Sequence, residues 1–96
     1  MTPERVASVI EQTLGAPDRQ VQVYMLVQFM PRPERFPARN GHTRKAGAQD
    51  GNVRPVARLM GLHPSGVRYM LARVEDRRED EAFDLRLQAI EAELAG

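Results

Sequence analysis

Val53-Arg54-Pro55-Val56-Ala57-Arg58-Leu59-Met60-Gly61-Leu62-His63-Pro64-Ser65-Gly66-Val67-Arg68-Tyr69-Met70-Leu71-Ala72-Arg73 is the stretch of this 96-residue chain that decides its fold. Ala57 is followed four residues later by Gly61, then six later by Val67 and three later by Met70. Two helices that cross steeply need a small residue where their backbones meet, which Ala57 supplies. They also need a residue tolerant of positive φ at the turn, which Gly61 supplies. Val67 and Met70 then fall on the inner side of the second helix, and Val56, Leu59, Met60 and Leu62 are expected to complete the apolar face. Asn52 can cap the first helix, which admits Pro55 in its first turn. Pro64 suits the first position of the second helix, with His63 at its cap. The pattern predicts a helix-turn-helix over 53–73, and a second helix of 64–74 whose non-core residues are Ser65, Gly66, Arg68, Tyr69, Ala72 and Arg73.

Towards the N-terminus, Thr2 can cap a helix that opens on Pro3, carries Val6, Val9, Ile10, Thr13 and Leu14 at helical spacing, and ends at Gly15. Asp18 is a candidate cap for a second helix running to about Met30. The run Val21-Gln22-Val23-Tyr24-Met25-Leu26-Val27-Gln28-Phe29 has the β-branched content of a strand, but a lone strand would leave its backbone unpaired, so helix is preferred. Beyond the motif, Glu75 to Glu81 is almost wholly charged. Phe83, Leu87, Ile90 and Leu94 then form one apolar stripe on a C-terminal helix of 81–95. Packing onto the same domain is the first use for that stripe and homodimerisation the second. A single all-α domain over 1–96 with five helices follows, interrupted before the motif by the Pro-, Gly- and Arg-rich stretch 31–51. That stretch reads either as a flexible solvated loop or as a basic arm that follows phosphates or enters a minor groove.

The formal net charge of +1 hides a strong segregation. Residues 1–31 carry two arginines against three acids, 32–73 carry nine Arg/Lys against Glu34 and Asp50, and 74–96 carry three arginines against eight acids. A polyanion responds to the local potential of the face it meets, over a Debye length of about 8 to 10 Å. A basic middle enclosing a helix-turn-helix therefore points to double-stranded DNA. Residues at the head of the second helix would meet base edges, namely His63, Ser65, Gly66, Arg68 and Tyr69. Arg54, Arg58 and Arg73, with Arg44 and Lys45 of the arm, are suited to phosphates. Arg68 is the base-reading candidate, since arginine makes a bidentate contact to guanine. Tyr69 could reach a phosphate or pack on a thymine methyl.

Other classes find little here. There is no cysteine, hence no disulfide and no thiolate metal site, which fits a reducing compartment. The longest apolar run, Val23 to Val27, cannot span a bilayer. The two histidines, His42 and His63, are far apart and lack ligand spacing, so neither a metal nor a cofactor is expected. No nucleophile, base and pocket suggest themselves, and an enzyme is not expected. The alternative is a protein-interaction or dimerisation module in which the motif is structural and Phe83, Leu87, Ile90 and Leu94 bind a partner.

The order of helices resembles the C-terminal DNA-binding domain of the bacterial replication initiator DnaA, in the Trp-repressor-like group of folds. Arg19-Gln20-Val21 to Tyr24-Met25-Leu26 is similar to the helix ahead of that family's motif. Val53 to Gly61 is similar to its first motif helix, and Val67-Arg68-Tyr69-Met70-Leu71-Ala72-Arg73-Val74-Glu75 to its second. The acidic break and closing helix are similar too. The resemblance implies a stand-alone DNA-binding module, a small regulator of transcription or replication in the bacterial cytoplasm and associated with the nucleoid. Where the family has Asp-His-Thr-Thr, this chain has His63-Pro64-Ser65-Gly66, so recognition of the same DNA sequence is not implied. The family's basic loop is reduced to Pro17-Asp18-Arg19, and no glycine-rich phosphate loop accompanies the motif.

Overall fold

The computed structural model describes residues 2–30 and 52–96. Five helices account for them: α1 Pro3–Leu14, α2 Arg19–Phe29, α3 Val53–Met60, α4 Pro64–Arg77 and α5 Glu81–Ala95. Among the described residues there is no strand, and the fold is all-α as expected. The stretch 31–51, with Arg44 and Lys45, lies outside the described residues.

The helix ends follow from local chemistry. Thr2 Oγ1 accepts from the Arg5 amide at 3.1 Å, Asp18 Oδ1 from Val21 at 3.1 Å, and Asp80 Oδ1 from Ala82 and Phe83. Each satisfies amides that an isolated helix leaves without partners. Gly15 closes α1 in the left-handed region, at φ 85°.

α2 is the centre of the molecule and packs against each of the other four helices. Val21 and the unbroken run Val23, Tyr24, Met25, Leu26 and Val27 are buried, together with Val6, Val9 and Ile10 of α1, Val53, Val56 and Ala57 of α3, and Val67 and Val74 of α4. A helix buried over most of its circumference, with only Arg19 and Gln28 exposed, has almost no polar face, which is why its sequence carries so little helical periodicity.

Several expectations are corrected. Asn52 makes no side-chain cap to α3. Its Nδ2 instead donates to the carbonyl oxygens of Val27 (2.9 Å) and Met30 (2.8 Å), at the end of α2. The end of α2 lies against the core and its last carbonyls need donors, which the amide of Asn52, only 4% exposed, supplies. Leu59 is not part of the apolar face, being 49% exposed. The inward stripe of α3 is Val53, Val56, Ala57 and Met60, and Leu59 falls off its edge. α4 does not end at residue 73 or 74 but runs to Arg77, taking the first acids of the charged run into the helix. Leu87, Ile90 and Leu94, by contrast, are inside the core and Phe83 packs at its margin, so the stripe of α5 packs onto the same domain, the first use expected for it.

The charged run also conceals structure. Tyr24 Oη donates to Glu75 Oε2 at 2.7 Å and accepts from Arg78 Nη1 at 3.2 Å. Arg78 grips Glu91 with both terminal nitrogens (2.8 and 3.2 Å) and reaches Asp84 through Nε. Arg77 pairs with Asp18 at 2.9 Å and lies over the Phe83 ring, its Cζ 4.3 Å from the centroid. These contacts tie the C-terminal end of α4 to α2 and α5.

Candidate nucleic-acid interface

The turn between α3 and α4 is built by Gly61, at φ 70° and ψ 35°. The Gly61 amide donates to the Arg58 carbonyl (3.3 Å) and the Leu62 amide to the Ala57 carbonyl (2.7 Å). That pair of bonds is a Schellman closure, which satisfies carbonyls at the end of α3 and reverses the chain within three residues. Arg19 adds a third contact from α2, its Nη2 donating to the Met60 carbonyl at 2.9 Å. Arg19, the first residue of α2, is thus engaged in holding α3. Sequence reasoning missed this role, because its partner stands 41 positions away.

α4 begins with His63 as its cap and Pro64 at its first position. His63 Nδ1 accepts from the Ser65 amide at 3.1 Å and lies 2.8 Å from Ser65 Oγ. Accepting from the amide requires an unprotonated Nδ1, so in the neutral ring the proton is on Nε2. Val67 and Val74 are buried and Met70 and Leu71 half-buried on the inner side. Ser65, Arg68, Tyr69, Ala72, Arg73 and Asp76 are exposed, at the spacing of one helical stripe.

The expected site residues fall as follows. Ser65, Arg68, Tyr69 and Arg73 share that outer stripe, and His63 is exposed at its head. Gly66 is half-buried, and a Cβ placed on it would meet no atom within 4 Å. Arg54 and Arg58 form an exposed pair one turn apart on α3. From 52 to 74 the chain holds four arginines, all exposed, and no aspartate or glutamate. Two apolar side chains join this surface: Tyr69, 62% exposed, and Leu59. Tyr69 was legible as a non-core position, whereas Leu59 was counted with the apolar face although it lies beside the stripe of Val53, Val56, Ala57 and Met60.

No group of three or more His, Cys, Asp or Glu among the described residues could hold a metal ion. Two shallow surface depressions lie on α1 and between α1, the start of α2 and Met60, and neither is lined by α4. Among the described residues no helix is long and apolar enough to cross a membrane. In comparisons with protein-family models, curated proteins and solved structures, nothing matches this chain.

Proposed function

We propose that this chain is a sequence-specific double-stranded DNA-binding protein, a small regulator of transcription or replication, in which α3, the Gly61 turn and α4 act as a helix-turn-helix. The observation that carries the reading is the surface of α3 and α4: four exposed arginines with no acid between 52 and 74. On this reading the head of α4 enters the major groove, with Arg68 reading a base edge and Arg54, Arg58 and Arg73 on phosphates. Gly66 supports it. Glycine inside a helix costs about 1 kcal/mol relative to alanine, and no described neighbour requires its small size. Close approach of the helix backbone to a groove wall gives it a purpose. Kinship with the initiator's DNA-binding domain belongs to the same proposal and rests on the order of residues and helices alone.

Titration of a labelled duplex by fluorescence anisotropy tests the function. Three phosphate contacts release counterions from the duplex, so affinity is expected to fall roughly fortyfold between about 50 and about 200 mM salt. Absence of binding at the lower salt would sink the proposal. On sequences recovered by selection from a random duplex library, Arg68→Ala is expected to relax preference at one base pair by about 1 to 3 kcal/mol. An equal loss on every sequence would reassign Arg68 to a phosphate.

A further inference from the structure

Tyr69 is a large aromatic side chain placed where a small domain with few aromatics would not be expected to leave one. It is 62% exposed, and among the described residues neither its ring nor its hydroxyl has a partner. It stands one residue after Arg68, one turn after Ser65 and three before Ala72, on the outer stripe of α4. Packing does not call for it, and helix propensity favours many polar residues over tyrosine. What an exposed ring gains on burial is apolar contact. Phosphate and sugar contacts need no such surface. In the major groove, the apolar feature that carries sequence information is the C5-methyl of a pyrimidine, which thymine has and cytosine lacks.

We infer that Tyr69, with the Ala72 methyl beside it on the same stripe, reads the C5-methyl of a thymine in the major groove. This rests on the DNA-binding reading above and extends it from a contact surface to a base class. The contact is made by the ring face or edge and not by the hydroxyl. Arg68 and Tyr69 are consecutive on the helix, so a guanine and a thymine close to each other are the expected core of the bound sequence.

The experiment uses the full chain and a duplex recovered by selection, prepared in its thymine form and with every thymine replaced by uracil. Loss of one buried methyl is expected to weaken binding by about fourfold per contacted base, from roughly 0.8 kcal/mol per buried carbon. Tyr69→Ala should bind the thymine duplex more weakly and treat the two duplexes alike, while Tyr69→Phe should keep the discrimination. Arg68→Ala should keep it as well. A third duplex, with 5-methylcytosine for cytosine, separates a general C5-methyl contact from one confined to thymine positions. Gain of affinity there shows that the methyl alone is read, and no gain places the contact at thymine. Binding with no difference between thymine and uracil overturns the inference and leaves the DNA-binding reading standing. Loss of discrimination in Tyr69→Phe also overturns it, by assigning the contact to the hydroxyl. Failure to bind any duplex at low salt overturns both.

Discussion

Tyr24 and Tyr69 carry the same side chain into opposite surroundings. Burial, followed by the hydrogen bond to Glu75, pushes the Tyr24 phenol up to about 12. The ordinary value is about 10, so the folded chain holds this proton more tightly than the unfolded one. The stabilisation is therefore complete below pH about 10 and is lost as pH rises towards about 12. An ultraviolet titration of the native chain should show one of its two tyrosines ionising late, with that late step absent in Tyr24→Phe. A native titration without it would mean that the Tyr24 hydroxyl is open to water. The opposite sign holds across the network. Hydrogen bonding to Arg78, then to Gln88, holds the Asp84 carboxyl below its ordinary range, so its contribution is present above the unfolded carboxylate value and fades as acid is added. Arg78 itself, paired with Glu91, is held more firmly protonated than usual. The residues of this network were visible in the sequence only as a charged run. Their partners come from α2 and α5, and no local pattern announces a contact between positions 24 and 78.

Helix ends were the most legible level, because a cap is decided by its immediate neighbours. Thr2, Gly15, Asp18, Gly61, His63 and Pro64 all stand at the ends they were assigned from sequence. Asn52 shows where that logic stops. It immediately precedes α3 and has the right chemistry for a cap, yet its amide is spent on carbonyls more than twenty positions back. The buried end of α2 needs donors more than the start of α3 does. Removing the amide as Asn52→Ala should destabilise the domain by about 2 kcal/mol, the cost of leaving buried carbonyls without donors. Asn52→Asp should be at least as damaging at neutral pH, since a carboxylate has no proton to donate. Chemical denaturation measures both, and a neutral result for Asn52→Asp would contradict the donor role. Of the candidate interface, the polar positions of α4 were legible from the alternation of inner and outer faces. Leu59 was not, because on an eight-residue helix the width of the buried stripe is set by neighbours and not by hydropathy.

At the scale of the molecule, the hydrogen bond from Asn52 to the Met30 carbonyl brings together the two ends of the described chain that flank 31–51. If 31–51 makes no contacts with the domain, replacing it by a Gly/Ser linker of about four residues leaves the five helices assembled and raises stability by about 1.5 kcal/mol, because fewer residues separate the ends to be brought together. Thermal denaturation decides this, and a lower melting temperature would show that 31–51 contributes contacts to the domain. The same variant, titrated with duplex, measures what the five basic residues Arg32, Arg35, Arg39, Arg44 and Lys45 together add to affinity. The charge order along α4 has a consequence of a different kind. α1 and α5 have acids in their first turns, as the dipole of a helix favours, whereas α4 has none there. At its other end Arg77 stands where the dipole favours a cation, so what α4 lacks is only negative charge at its head. If DNA is bound as proposed, a phosphate at the head of α4 would supply that missing negative charge, so binding and helix stability would be thermodynamically linked and α4 would be held more rigidly in the complex than in the free chain.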